Sequence, residues 1–317
     1  MKCLITGGTG FLGKYIVNQM QQNGNEVFIT TRHPQQNNHI LADFERGILD
    51  LETNAGFTKE SENNLIVIHA AGKAHSVPKS DAEQKSFYDI NVEGTKLLLQ
   101  KLETLQKLPK SMVFISSVSV YGRETGQDIS ESEPLNATEP YGKSKIESEK
   151  LILEWGRKYK VMIGIARLPL VAGKNPPGNL QSLISGIKSG RYFRIGNGKA
   201  RKSMVWAADI ASVLQVISEK GGIYNLTDGY HPTFEELEDG ITSSLGLRQV
   251  KKISTFIATM AGIVGSILGN MTGKKMPIDR KTVAKITSPL TFSDLKAREE
   301  IGWRPSGVLG HINEMLL

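Results

Sequence analysis

Short apolar runs alternate with stretches of helical spacing through the first half of the chain. Leu4-Ile5-Thr6 reads as a buried strand, and Tyr15, Ile16, Val17 and Met20 follow on one helical face. Glu26 to Thr31 predicts a second strand, and Ile48-Leu49 a third that ends at Asp50. Leu65-Ile66-Val67-Ile68 predicts a fourth, apolar throughout, as strands covered on both faces are. From Phe87 to Leu105, apolar positions keep helical periodicity and predict one helix. Its apolar face is wide enough to serve both the core and a dimer contact. Met112 to Ile115 is a fifth strand, Ile163 to Leu168 a sixth, and between them a helix runs from about Tyr141 to Tyr159 behind Pro140, a residue suited to a first helical turn. Strands alternating with helices predict an α/β fold with a doubly wound parallel sheet.

The pattern loosens after Leu168, where Pro169, Gly173, Pro176, Pro177 and Gly178 mark an irregular crossing. Residues 1–168 are expected to form one domain, with a return around 201–226. Residues 169–200 and 227–317 would form a smaller C-terminal region. In that region the sequence predicts a helix from Asn179 to Ser189 and a short basic strand from Arg201 to Trp206. A helix from Asp209 to Ile217, a strand from Ile223 to Leu226 and a helix opened by Pro232-Thr233-Phe234 follow. Thr291 to Asp294 caps a last helix that stops near Gly302-Trp303. Ile253 to Met271 carries no charge and lies between Lys251-Lys252 and Lys274-Lys275. It has the length of a membrane span. Ser254, Thr255, Thr259, Ser266, Asn270 and three glycines dilute it, so the expected reading is an apolar helix closing over the substrate region, with membrane-surface contact as the alternative.

The 317 residues suffice for a full core. The single cysteine, Cys3, precludes an internal disulfide and fits a small core position in a reducing compartment. Met1 to Thr6 passes into glycines before any leader-like apolar stretch, so a cytoplasmic location is expected. The net charge of +7 is spread without a Lys/Arg block, which argues against nucleic acid and is compatible with a phosphate-rich substrate.

Candidate chemistry begins at Gly7, Gly10 and Gly13, set between the first strand and the first helix. Glycines there let backbone approach a phosphate at a helix N-terminus, as dinucleotide sites require. The second strand runs out into Thr31, Arg32 and His33 with no carboxylate to grip a ribose 2′-hydroxyl. Arg32 would pair instead with a 2′-phosphate, so NADP(H) is slightly favoured over NAD. Asp50 is placed to meet the adenine, and Ala70, Ala71 and Gly72 leave room beside the sheet. His69 reads as a structural histidine, and the polar 73–80 loop as a candidate site lining. The fifth strand delivers Ser116 and Ser117 at its carboxyl end, where open α/β sheets hold ligands. Tyr141 and Lys145 share one helical face. A cation one turn away would lower the phenol's pKa from its usual value of about 10 and fit it for proton transfer with an alcohol.

Taken together these residues resemble the extended short-chain dehydrogenase/reductase family, in its nucleotide-sugar epimerase/dehydratase branch. The resemblance covers nearly the whole chain. It rests on the glycine turn, Asp50, His69-Ala70-Ala71, Asn91 to Thr95, Ser116 to Gly122, Tyr141-x-x-x-Lys145, Arg167 to Gly173, and Ala297 to Pro305. It implies a Rossmann-type doubly wound parallel sheet, NAD or NADP, a nucleotide-diphosphate sugar and a homodimer. Tyr141 would be the acid/base, Lys145 its electrostatic partner and hold on the nicotinamide ribose, and Ser117 a hydrogen-bond partner of the reacting oxygen. Gly7, Gly10, Phe11, Leu12, Gly13, Arg32, Asp50, Leu51, Ala70, Ala71, Gly72, Asn91, Ser116, Tyr141, Lys145 and Leu168 would contact the cofactor. His75, Ser117, Ser119, Asn179 and Arg201 would contact the substrate, and no metal is assigned. Dehydratases of this branch carry Asp-Glu where this chain has Val118-Ser119, which disfavours water elimination. The expected activity is a 4-ketoreductase or 4-epimerase acting through Ser, Tyr and Lys. The rivals are a non-catalytic NADP-sensing protein and a membrane-surface enzyme on a lipid-linked sugar.

Overall fold

The computed structural model describes residues 1–54, 57, 64–74, 80–261, 263 and 280–317. Its centre is an eight-stranded sheet. The strands, numbered here within that sheet, are β1 (Lys2–Thr6), β2 (Glu26–Thr31), β3 (His39–Asp43), β4 (Ile48–Leu49), β5 (Leu65–His69), β6 (Ser111–Ser117), β7 (Met162–Leu168) and β8 (Gly222–Asn225). Their spatial order is β8-β7-β6-β5-β1-β2-β3-β4, parallel except for β4. The order reverses beside β1, which lies between β5 and β2. Ligand crevices of such sheets open at the carboxyl ends next to that reversal.

Alternating side chains divide the core into two layers. Cys3 and Ile5 point to the face packed by Ile16 and Met20 of α1 (Phe11–Gln22) and by Ile210, Leu214 and Ile217 of the Ala207–Lys220 helix. Leu4 and Val67 point to the face packed by Leu98, Leu102, Ile152 and Trp155. Cys3 is a buried core thiol, its pKa pushed up by burial to about 12. A third cluster joins the Asn179–Lys188 and Phe234–Ser244 helices to the C-terminal Ile312–Leu316 helix. Thr233 starts the Phe234–Ser244 helix with a reciprocal cap, its hydroxyl accepting from the Glu236 amide.

Several elements differ from the sequence expectations. The third parallel strand is β3, which the pattern missed because His39-Ile40-Leu41-Ala42-Asp43 alternates burial instead of running apolar. The expected strand at Ile48-Leu49 is a short antiparallel return on it. The expected 87–105 helix begins earlier, at Asp81, behind the Ser80 cap. It passes through a π-turn at Asp89–Glu93 and ends as Gly94–Glu103. The basic 201–206 strand is reduced to Met204–Trp206, all buried, with Arg201 and Lys202 in isolated bridges. Ile312–Leu316 is a helix the sequence did not announce. Of the 253–271 stretch, residues 253–261 and 263 are described and the rest lie outside the described residues. No helix among the described residues is long and apolar enough to cross a membrane.

Candidate active site

The β1–α1 turn is closed by Gly10 N donating to Gly7 O at 2.9 Å. Gly7 sits at φ +71°, and a Cβ there would lie 2.8 Å from the Ala71 backbone. A Cβ on Gly13 would lie 2.0 Å from Gly7 O. Glycine is therefore enforced by contact: the helix start is drawn against its own strand and against the end of β5. No side chain caps Gly10, so the first amides of α1, at Phe11, Leu12 and Gly13, lack intrahelical acceptors. Such a bare helix start with backbone exposed at Gly10 suits a dinucleotide's pyrophosphate. Across the turn, Ala70 N donates to Thr6 O and Ala71 N to Thr6 Oγ1. His69 bridges Thr6 Oγ1 at 2.6 Å and Thr95 Oγ1 at 2.9 Å, and burial pushes its pKa down to about 3. It is a neutral structural link, as its sequence context implied.

β6 ends in Ser117, whose hydroxyl accepts from the Ser119 amide at 3.2 Å and lies close enough to the Tyr141 phenol to favour its ionised form. Tyr141 is half-buried, its ring 6.1 Å from that of Phe87. One turn on, Lys145 is buried and donates to Ile115 O at 2.9 Å, its ammonium 4.5 Å above the Phe114 ring. A Cβ on Gly72 would come 3.4 Å from that ammonium. Ser117, Tyr141, Lys145 and the end of β5 therefore meet at one edge of the sheet. The electrostatics differ from the sequence expectation. Burial raises the Tyr141 pKa, opposed by the nearby Ser117 hydroxyl, and burial lowers the Lys145 pKa to about 8 against the pull of Glu149. Helical spacing identifies the pair; desolvation decides where each titrates.

Beneath this edge runs a buried polar chain that the sequence reading left without a role. Ser116 Oγ donates to Glu149 Oε1 at 2.5 Å. Arg167 reaches both Glu149 oxygens, with Nη2 to Oε2 at 2.7 Å, and its Nη1 donates to Tyr121 Oη at 3.0 Å. Tyr121 Oη donates to Asn225 Oδ1 at 2.7 Å. Two sequence signals point to it: a glutamate one helical turn past Lys145, and an arginine inside an otherwise apolar strand.

Other expected contacts fare unevenly. Arg32 is exposed just past β2. The Asp50 carboxylate accepts from Thr53 N and Thr53 Oγ1 within its own turn. Leu51 and Leu168 are core side chains, so only their backbone can reach a ligand. The Ser116 hydroxyl is taken by Glu149. Asn91 is buried with its amide engaged: Oδ1 accepts from Lys73 N at 2.7 Å, and Nδ2 donates to Lys73 O and Ser144 Oγ. It clamps the 73 loop to the Tyr141 helix. Ser119 Oγ is buried without a partner. Asn179 is exposed at the first residue of its helix, away from any capping bond. Arg201 is exposed, stacks over Tyr230 and donates to the Tyr230 and His231 carbonyls. His75 lies outside the described residues.

The sequence profile of the NAD dependent epimerase/dehydratase family matches residues 3–227. An N-acetyl-alpha-D-glucosaminyl-diphospho-ditrans,octacis-undecaprenol 4-epimerase of Escherichia coli O157:H7 is 28% identical over 66% of this chain and 65% of its own length. A decarboxylating sterol-4-alpha-carboxylate 3-dehydrogenase of Dictyostelium discoideum is 30% identical over 94% of both chains. The fold is shared with the Thermus thermophilus UDP-glucose 4-epimerase crystallised with NAD, at TM-score 0.73 and 21% identity over 99% of this chain and 97% of that one. By its profile match and by a relative aligned along nearly its full length, the chain belongs to the NAD-dependent epimerase/dehydratase family of extended short-chain dehydrogenases/reductases.

Proposed function

We propose that the protein is an NAD(P)-dependent 4-ketoreductase or 4-epimerase acting on a sugar carried by a diphosphate, with a nucleotide as the first choice of carrier. The observation that carries this reading is Tyr141 beside Ser117 at the end of β6, with the Lys145 ammonium held on the Ile115 carbonyl of the same strand and the glycine turn packed on the end of β5. A bound nicotinamide supplies the hydride. The chain's own part is proton traffic and position. Tyr141 gives or takes the hydroxyl proton at the reacting carbon. Ser117 holds the same oxygen and keeps the phenol oriented. Lys145 favours the phenolate when Tyr141 has lost its proton and offers donors to a ribose. Phe11, Leu12 and Gly13 amides hold the pyrophosphate. Arg32, exposed where β2 ends and with no carboxylate in the sequence next to it, supports NADP(H) over NAD. With Val118 and Ser119 in place of acids, elimination of water is not part of the reading.

Tyr141→Phe is expected to lower turnover by about 10²- to 10⁴-fold while leaving cofactor affinity near wild type. Titrating NADPH and NADH fluorescence with this variant also ranks the two cofactors, with NADPH expected to bind more tightly. Full activity in the variant sinks the mechanism. For the wild type, a steady-state need for added NADPH assigns a reductase, and activity without added cofactor assigns an epimerase. The E. coli relative is named for a sugar on diphospho-undecaprenol. A lipid carrier is therefore the second reading, favoured by the exposed apolar face at residues 256–263.

A further inference from the structure

Residues 255–261 and Ile263 are helical. The Ser254 hydroxyl accepts from the Phe256 amide at its start, and Ala258, 5% exposed, seats it on the protein. The opposite side is apolar and open. Phe256 is 74% exposed, Ile257 59%, Met260 49% and Ile263 36%. At about 100° per residue, positions 256, 260 and 263 fall within roughly 60° of one another, with 257 alongside. Single exposed apolar residues are ordinary, but four on one helical face are not. The strand that leads into this helix, Lys251–Ile253, pairs with Phe193–Ile195, whose Phe193 is a further 43% exposed.

We infer that this face docks on an anionic lipid bilayer. Charge chooses the occupant. From Gly240 to Ile278 the sequence holds Arg248, Lys251, Lys252, Lys274 and Lys275 and no acidic residue. Arg248, Lys251 and Lys252 are exposed, Lys252 with its ammonium 3.7 Å from Glu235 Oε1. A second copy would bring the same cations to the contact and repel. A nucleic acid would match the charge and leave the hydrocarbon uncovered. An anionic membrane surface meets both demands: acyl chains receive Phe256, Ile257, Met260 and Ile263, and headgroups receive Arg248 and Lys251. Thr255, Ser254 and Lys252, at the base of the helix, also line a cleft with Ile195 and Tyr192, so docking would bring that cleft to the lipid surface. As an account of substrate delivery this rests on the second reading above. As an account of a surface it does not, and turnover and vesicle binding can fail separately.

Flotation with vesicles of phosphatidylcholine alone, and of phosphatidylcholine with phosphatidylglycerol, tests the inference on the full chain. Wild type is expected to float with the phosphatidylglycerol vesicles only. Phe256→Asp/Met260→Asp should reduce this at least about tenfold. Arg248→Gln/Lys251→Gln, at two exposed positions, should reduce it about 30-fold. NADPH titration of each variant checks that it is folded. Wild type that floats with neither vesicle overturns the inference. So does flotation unaffected by Phe256→Asp/Met260→Asp, whether the residual binding is plain charge adsorption or the variant instead turns a dimer into a monomer by light scattering.

Discussion

Lys145 is a cation held where water does not reach, between the Ile115 carbonyl and the Phe114 ring. Desolvation lowers its pKa to about 8, although Glu149 pulls the other way. The sign follows: below about pH 8 the ammonium persists in the fold, and above it the proton leaves the folded protein before it leaves an unfolded lysine. If the ammonium supports Tyr141, kcat/KM should decline about tenfold per pH unit above about 8. A profile flat to about pH 10, the range of an ordinary lysine, would remove the cation from the reaction. Over the same rise the buried charge ceases to cost stability, so activity should fall while the melting temperature does not. Both Tyr141 and Lys145 were legible from a spacing of one helical turn. Their protonation was not, because spacing places two side chains on one face and says nothing about how dry that face becomes. Asn91 teaches the same lesson, since spacing could not show that its amide ties Lys73 to Ser144.

At the scale of elements, the β1–α1 turn is the most constrained piece of backbone in the site. A methyl group on Gly13 would stand 2.0 Å from Gly7 O, whereas one on Gly10 would stand 3.1 Å from it. Gly13→Ala must push α1 away from β1, and is expected to weaken NAD(P)H binding more than tenfold and to lower the melting temperature. Gly10→Ala should do markedly less of both. Fluorescence titration and thermal melting of the two variants side by side check this, and equal behaviour would contradict the contact argument. Fully buried strands such as β5 were legible because nothing polar interrupts them. β3 escaped because it is half exposed, and the π-turn at Asp89–Glu93 escaped because helical periodicity tolerates a single extra residue.

Across the whole molecule, Ser116, Glu149, Arg167, Tyr121 and Asn225 tie β6, the Tyr141 helix, β7, the 118–121 turn and β8 into one buried chain of hydrogen bonds. Arg167→Met should cost about 3–5 kcal/mol by stranding the Glu149 carboxylate, and Glu149→Leu/Arg167→Met should recover most of it. Urea unfolding of the three proteins decides; a small loss in the single variant would mean water reaches Glu149. The doubly wound order was readable from alternating elements, but this chain was not, because its members are far apart in sequence and meet only through the sheet. Asn225, its far end, belongs to the outermost strand and is supplied by chain that has already left for the C-terminal region and returned. During synthesis from the N-terminus, the nascent polypeptide therefore carries its tyrosine and its glycine turn well before the floor under them is finished. Until residue 225 clears the ribosome, β7 is a bare edge and the Tyr121 hydroxyl has no amide to meet.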